Sequence, residues 1–322
     1  MREQSSATAR STVTAGLALG ALGVLAFSLT LPMTRVAVRD LDPWFVASGR
    51  AVGAAALALI YLAVTRAPRP SRTQWVRLAV VALGVVVGFP LFTSLALTSQ
   101  TSSHGAVVVT VLPAMTAVLA ALRAHERPPL PFWLASGGGL VAVLGFLVTT
   151  GTVRGGLGLA DLYLLAAVVL CALGYAEGGV LARDLGGART ICWALVLALP
   201  VTLPVAMLAG PSAATGTSWA AFGYLTGVSM FLGFFAWYTG LAKGGIARVG
   251  QIQLAQPVLT LLWSALLLDE PVTAASLGAA VVVLGCVVLT QRTRHDRRVS
   301  FHHSEGSLVA ASARSGTRTP AA

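Results

Sequence analysis

Apolar positions along this chain neither alternate nor keep to one narrow helical stripe; they come in long, nearly unbroken runs. The runs fall at 15–36, 44–64, 77–97, 105–122 and 132–150. After a glycine-rich break at 151–158 they resume at 159–181, 191–208, 219–241, 250–268 and 272–289. A helix needs about 20 apolar residues to cross the hydrocarbon core, whereas a barrel strand would alternate over about ten. The pattern therefore predicts an all-α polytopic membrane protein with ten transmembrane helices. The first run is too long for the apolar part of a signal peptide and reads as a retained helix.

Composition narrows the class. Of 322 residues, 56% are hydrophobic and only 10% charged, and the mean hydropathy is +0.80. Soluble domains carry about 25% charged residues, so an ordinary soluble enzyme is excluded. Ten spans leave only short loops, without room for a catalytic domain.

The net charge of +11 is ordered along the chain. If the N-terminus is cytoplasmic, 18 basic residues fall on that side: Arg2, Arg10, Arg66, Arg69, Arg72, Arg77, Arg123, Arg127, Arg183, Arg189, Lys243, Arg248, Arg292, Arg294, Arg297, Arg298, Arg314 and Arg318. Only Arg35, Arg39 and Arg154 fall opposite. The excess of Arg and Lys in cytoplasmic loops predicts both termini inside. No basic stretch carries interleaved aromatics, so nucleic acid is not an expected partner; lipid is. Segment 1–14 reads as a cytoplasmic extension, and 291–322 as a disordered basic cytoplasmic tail.

Cys171, Cys192 and Cys286 each lie inside an apolar run and suggest neither a disulfide framework nor a metal site. His125-Glu126 is followed by Arg-Pro-Pro, which is not a zinc helix, and no phosphate-binding G-x-x-x-x-G-K-[ST] loop occurs. Neither a cofactor nor a metal is expected.

The two halves resemble each other. Val36-Ala37-Val38-Arg39-Asp40-Leu41 recurs as Val180-Leu181-Ala182-Arg183-Asp184-Leu185, an offset of 144 that also carries Pro113 to Pro257 and Glu126 to Glu270. Gly138 and Gly145 match Gly278 and Gly285 at offset 140. Five spans per half is an odd number, which flips the second copy. The expected organisation is two inverted five-helix repeats, 15–150 and 159–290, joined by the linker 151–158. Inverted repeats give a physical route to alternating access around a midplane site.

Leu41-Asp42-Pro43 followed by Arg50, Ala96-Leu97 leading to Pro113 and Glu126, and Gly240-Leu241-Ala242 leading to Gln256-Pro257, Glu270 and the Gly278 to Gly285 helix together form a pattern. It resembles the drug/metabolite transporter superfamily, specifically its EamA-type members, over nearly all of residues 15–290. The first helix has Phe27-Ser28 where the family often has Trp. The resemblance implies a transporter of the bacterial inner membrane, moving amino acids, related metabolites or amphiphilic drugs, with export the expected direction. It implies a cavity lined mainly by helices one, three, four, six, eight and nine, no enzymatic activity, and a homodimer as one assembly open to the chain. A nucleotide-sugar or lipid-linked-sugar carrier would need several cavity cations. An intramembrane enzyme would need convergent acid, base or metal groups. A non-transporting scaffold predicts no flux at all.

Several residues carry candidate chemistry. Glu177, inside the sixth run, is an intramembrane carboxylate and hence a proton-coupling candidate, or else it pairs or snorkels at the cytoplasmic end. Arg50 is either a structural brace, with Asp40 or Asp42, or a contact for a substrate anion. Gln253 and Gln256 share a helix face near Pro257 and, with Gln251, suit substrate binding or interhelical packing. The resemblance places the aromatics Tyr175, Phe234, Phe235, Trp237 and Tyr238 on cavity-lining helices, where Tyr175, Trp237 and Tyr238 are substrate-binding candidates. Pro32, Pro90, Pro113 and Pro257 read as helix kinks. His104 reads as interfacial, and Glu126, Asp269 and Glu270 as caps of the helices that follow them. Gly137-Gly138-Gly139 and Gly278 read as close helix contacts.

Overall fold

The computed structural model describes residues 2–123, 130–150, 158–244, 249–250, 252–286 and 288–289. Glu126, Gln251, most of the expected linker and the tail from 291 lie outside the described residues. Among the described residues there is no strand. Seven helices are long and apolar enough to cross a membrane: α1 (Thr12–Ala37), α2 (Pro43–Val64), α3 (Arg72–Ala96), α4 (Ser102–Leu122), α6 (Leu159–Leu185), α7 (Gly187–Ala209) and α8 (Gly216–Gly244). They alternate with α5 (Leu130–Thr150), α9 (Ala255–Leu268) and α10 (Ala274–Cys286). The described part of α9 has 14 residues, about 21 Å at helical rise, less than the roughly 30 Å hydrocarbon core. Helix already runs from Arg2 into α1, so the segment expected before the first span is helical in its described part.

Cap chemistry sets where several helices begin. Asp42 accepts the N–H groups of Trp44 and Phe45 and opens α2, with Pro43 in the first turn. Ser71 and Gln74 form a reciprocal capping box that starts α3 five residues upstream of the apolar run, before Arg77. Thr215 caps α8 through the Ser218 N–H, at the repeat offset of 144 from Ser71. Thr273 caps α10 through Ser276, a role expected of Asp269 and Glu270.

Three of the four prolines follow breaks in the helix, whereas Pro90 lies within a continuous one. Pro32 follows a turn at Leu29, Pro113 follows turns at Thr110 and Val111, and Pro257 follows Gln253 and Leu254. Pro90 follows a π-helical segment, Ala82–Gly88. Each sits in the first turn of the next segment, where its missing N–H is tolerated. A second π-helical segment, Tyr224–Leu232, occupies the equivalent part of α8. Wide turns of this kind frequently mark functional sites.

Helices of the first half pack chiefly on helices of the second. α1 runs along α8, α2 along α7, and α6 lies against α3 and α4. The α1–α8 crossing is close because each contributes two glycines four apart, Gly16 with Gly20 and Gly240 with Gly244. A Cβ at Gly16 would lie 2.3 Å from the Gly244 backbone nitrogen, so these helices touch backbone to backbone. By contrast, a Cβ at Gly137 or Gly278 would meet no described atom within 4 Å, while one at Gly138 or Gly139 would meet Cys286, so among the described residues the close contacts expected of this set are confined to Gly138 and Gly139. Outward positions such as Leu22, Ile60, Leu208 and Val281 are exposed apolar side chains, as lipid requires.

Candidate functional site

A buried cavity lies at the junction of the two halves. Its wall takes Phe27, Thr30 and Leu31 from α1, Arg50 from α2, Val85, Phe89 and Pro90 from α3, and Leu112 from α4. The second half adds Cys171 and Tyr175 from α6, Ser229, Met230 and Phe234 from α8, and Gln256 from α9. The cavity is narrow, about 20 Å³, room for roughly one water molecule. Two π-helical segments border it, through Val85 and through Ser229 and Met230, as do the breaks at Pro32, Pro113 and Pro257, through Leu31, Leu112 and Gln256.

The wall is mostly apolar, with a ring cluster on one side. Phe27 and Phe234 have centroids 4.9 Å apart, and Tyr175 lies 6.4 Å from Phe27 and 6.1 Å from Phe234. Its polar groups are few. The Thr30 and Ser229 hydroxyls bond to each other at 2.8 Å across the two halves. Arg50 is 1% exposed and makes no hydrogen bond or ion pair with any described residue. Gln256 Oε1 is buried without a partner among the described residues. Beside the wall, the carbonyl of Ser28, freed because Pro32 has no N–H, accepts the Thr260 hydroxyl at 2.8 Å.

The candidates named from sequence divide. Tyr175 and Gln256 are on the wall; Gln253 is buried nearby with its Nε2 unpartnered among the described residues. Trp237 and Tyr238 are not on the wall: three and four residues beyond Phe234, they share its side of α8 but lie about one turn further along the helix. Trp237 backs Tyr175 at 5.6 Å and packs on Gly23, while Tyr238 donates to the Gly174 carbonyl across the α6–α8 contact.

Glu177 is not on the cavity wall either. Its 3%-exposed carboxylate pairs with Arg77 Nε, joining α6 to α3 near the end of the bundle where α1 begins. A pairing was one of the alternatives for Glu177, but its partner Arg77 is 100 residues away and nothing in the sequence pointed to it. The brace expected for Arg50 is absent as well. Asp42 is occupied with the α2 cap, and Asp40 accepts the Thr215 hydroxyl, the Thr215 N–H and the Ser218 hydroxyl. These bonds hold the Asp40 carboxyl below its ordinary range, the Thr215 hydroxyl contributing most.

The opposite end of the bundle carries a set of links that sequence reasoning missed. Glu270 caps α4 of the other half, accepting the N–H groups of Ser102 and Ser103 at 3.0 and 2.9 Å and both hydroxyls at 2.8 and 3.0 Å. His104, expected at the interface, is buried and bonded to Asp161 of α6 at 2.8 Å. Gln100 donates to the same Asp161 oxygen. Carboxylates at a helix N-terminus are favourable, and here they tie one half to the other.

Comparison with known proteins adds identity to this geometry. The model of the EamA-like transporter family matches the chain twice, over residues 14–148 and 158–291. The Bacillus subtilis (strain 168) protein described as uncharacterized transporter YdeK is 44% identical over 281 residues, covering 85% of this chain and 96% of that one. A solved structure, described only as the crystal structure of a protein, matches in fold with a TM-score of 0.59 at 19% identity, covering 85% of this chain and 97% of the other.

Proposed function

Because the chain belongs to the EamA-like transporter family, and is thus a multi-pass membrane transporter, we propose that it is a secondary transporter of small organic solutes. It works by alternating access between two inverted five-helix repeats in a bacterial inner membrane, with both termini cytoplasmic and export as its direction. One observation carries the proposal: a buried cavity lined by both halves, with links between the halves at either end of the bundle.

Exchanging the halves at the repeat offset turns the α1–α8 contact into the α6–α3 contact and returns α2–α7 to itself. A two-fold relation of this kind supports two conformations of similar energy. Opening toward the cytoplasm would part Arg77 from Glu177. Opening outward would lift Glu270 from α4 and His104 from Asp161. Coupling follows from the first step, since a proton taken up by Glu177 removes the charge that holds Arg77.

The test uses purified protein in vesicles loaded with a mixed pool of amino acids, organic acids and amphiphilic amines, with mass spectrometry of what leaves. Saturable loss of at least one solute above empty vesicles is expected. No movement of any solute by folded protein would favour a scaffold. Glu177→Gln should abolish the response to a pH gradient; an unchanged response removes proton coupling and leaves exchange or facilitated diffusion.

A further inference from the structure

Arg50 is the one cationic side chain on the described cavity wall, and nothing described compensates it. It lies seven residues into α2, about 10 Å from the helix start. A guanidinium keeps its charge and cannot shed a proton to escape burial. The described carboxylates that could face it are engaged elsewhere: Asp42 in the α2 cap, Asp40 with Thr215 and Ser218, Asp161 with His104, Glu177 with Arg77, and Glu270 on α4. An uncompensated buried charge is costly, and a carboxylate supplied from outside the chain would match the guanidinium fork with two parallel hydrogen bonds.

Resting on the transporter reading, we propose that Arg50 is the anion-recognition group of the cavity and that the solute is a small monocarboxylate with an apolar or aromatic body. One cation accommodates one negative charge, which disfavours diphosphates such as nucleotide sugars. The rings of Phe27, Tyr175 and Phe234 offer faces for the apolar body. The unpartnered Gln256 Oε1 accepts one donor from the solute. Thr30 and Ser229 satisfy each other and make no such demand.

The test measures binding to the full-length protein in detergent by calorimetry, with three probes sharing one body: 3-phenylpropanoate, 3-phenylpropanamide and 3-phenylpropylamine. Hexanoate and 4-methylpentanoate vary the body. At least one carboxylate should bind about tenfold or more tightly than its amide or amine. Arg50→Gln should erase that preference, and Arg50→Lys should retain part of it. Equal or tighter binding of the amide or amine, no binding of any of the three carboxylates, or a preference that survives in Arg50→Gln would overturn the proposal. If Arg50→Gln does not fold, the preference of the unaltered protein decides. The vesicle assay separates the two ideas: efflux confined to amines or neutral solutes sinks the anion site and leaves transport standing. Carboxylate binding without any flux does the reverse.

Discussion

Thr260→Val tests whether the breaks around the cavity are held as described. Pro32 leaves the Ser28 carbonyl without its usual helical donor, and the Thr260 hydroxyl reaches it at 2.8 Å. Both residues are almost wholly buried, at 0% and 2% exposure, so water does not readily replace the lost bond. An orphaned buried acceptor costs about 1–3 kcal/mol in water-soluble proteins, while bonds between membrane helices average about 0.6 kcal/mol. Thr260 shares its proton with the Gln256 carbonyl at 2.9 Å, which lowers the loss. Thr260→Val should therefore destabilise by about 1 kcal/mol, roughly a fivefold change in the unfolding constant. In a Pro32→Ala background the restored N–H takes the carbonyl, and the same substitution should cost less than about 0.3 kcal/mol. Equilibrium unfolding of the four proteins by SDS titration in mixed micelles reads the cycle. Equal costs of Thr260→Val in both backgrounds would refute the reasoning.

Five further substitutions probe other parts of the molecule. A Cβ at Gly240 would lie 2.7 Å from the Gly20 nitrogen and 2.9 Å from the Gly16 oxygen, so Gly240→Ala should cost about 1–3 kcal/mol in the same titration. Gly223→Ala, with no atom within 4 Å of the added carbon, should cost nothing. Arg77→Gln should lower the melting temperature more than Glu177→Gln, because the carboxylate it affects is 3% exposed whereas the converse affects a 31%-exposed cation; the reverse order would contradict the pairing. Asp40 is held below the ordinary 3.8, so its contribution is full at neutral pH and is lost as pH falls through its lowered folded-state value. Melting curves against pH should show Asp40→Asn less stable at neutral pH and convergent with the unaltered protein in acid; a constant gap would contradict this.

Much of the helical layout was legible because lipid imposes a length and a polarity on every span. The caps that open α2 and α3, Asp42 with Pro43 and the Ser71 to Gln74 box, are local chemistry, yet they were not read from the sequence, where the apolar run placed the start of the third span at Arg77. The repeat offset extends to Thr215, a cap that hydropathy alone would not emphasise. What escaped depends on distant pairing. Glu270 looks like a cap for the helix beside it, yet it serves α4, and only the packing of α9 on α4 brings it there. Arg77 and Glu177 meet because α3 crosses α6, a contact without a periodic signature. The π-helical segments have none either, since one extra residue per turn leaves hydropathy unchanged. Trp237 and Tyr238 stood out as large rings on the expected helix, but they share the Phe234 face and only their height along α8 keeps them off the wall.

Alternating exposure of the cavity is tested most directly with a single thiol on its wall. Ser229→Cys, placed with Cys171, Cys192 and Cys286 all changed to Ser, faces the junction of the halves. A membrane-impermeant maleimide is added to either face of sealed, oriented vesicles. Labelling from both faces, with Arg77→Gln raising the cytoplasmic rate and Glu270→Gln raising the external rate, is the expected result. Labelling confined to one face under every condition, in protein shown to be folded, would contradict a cavity that opens to each side in turn.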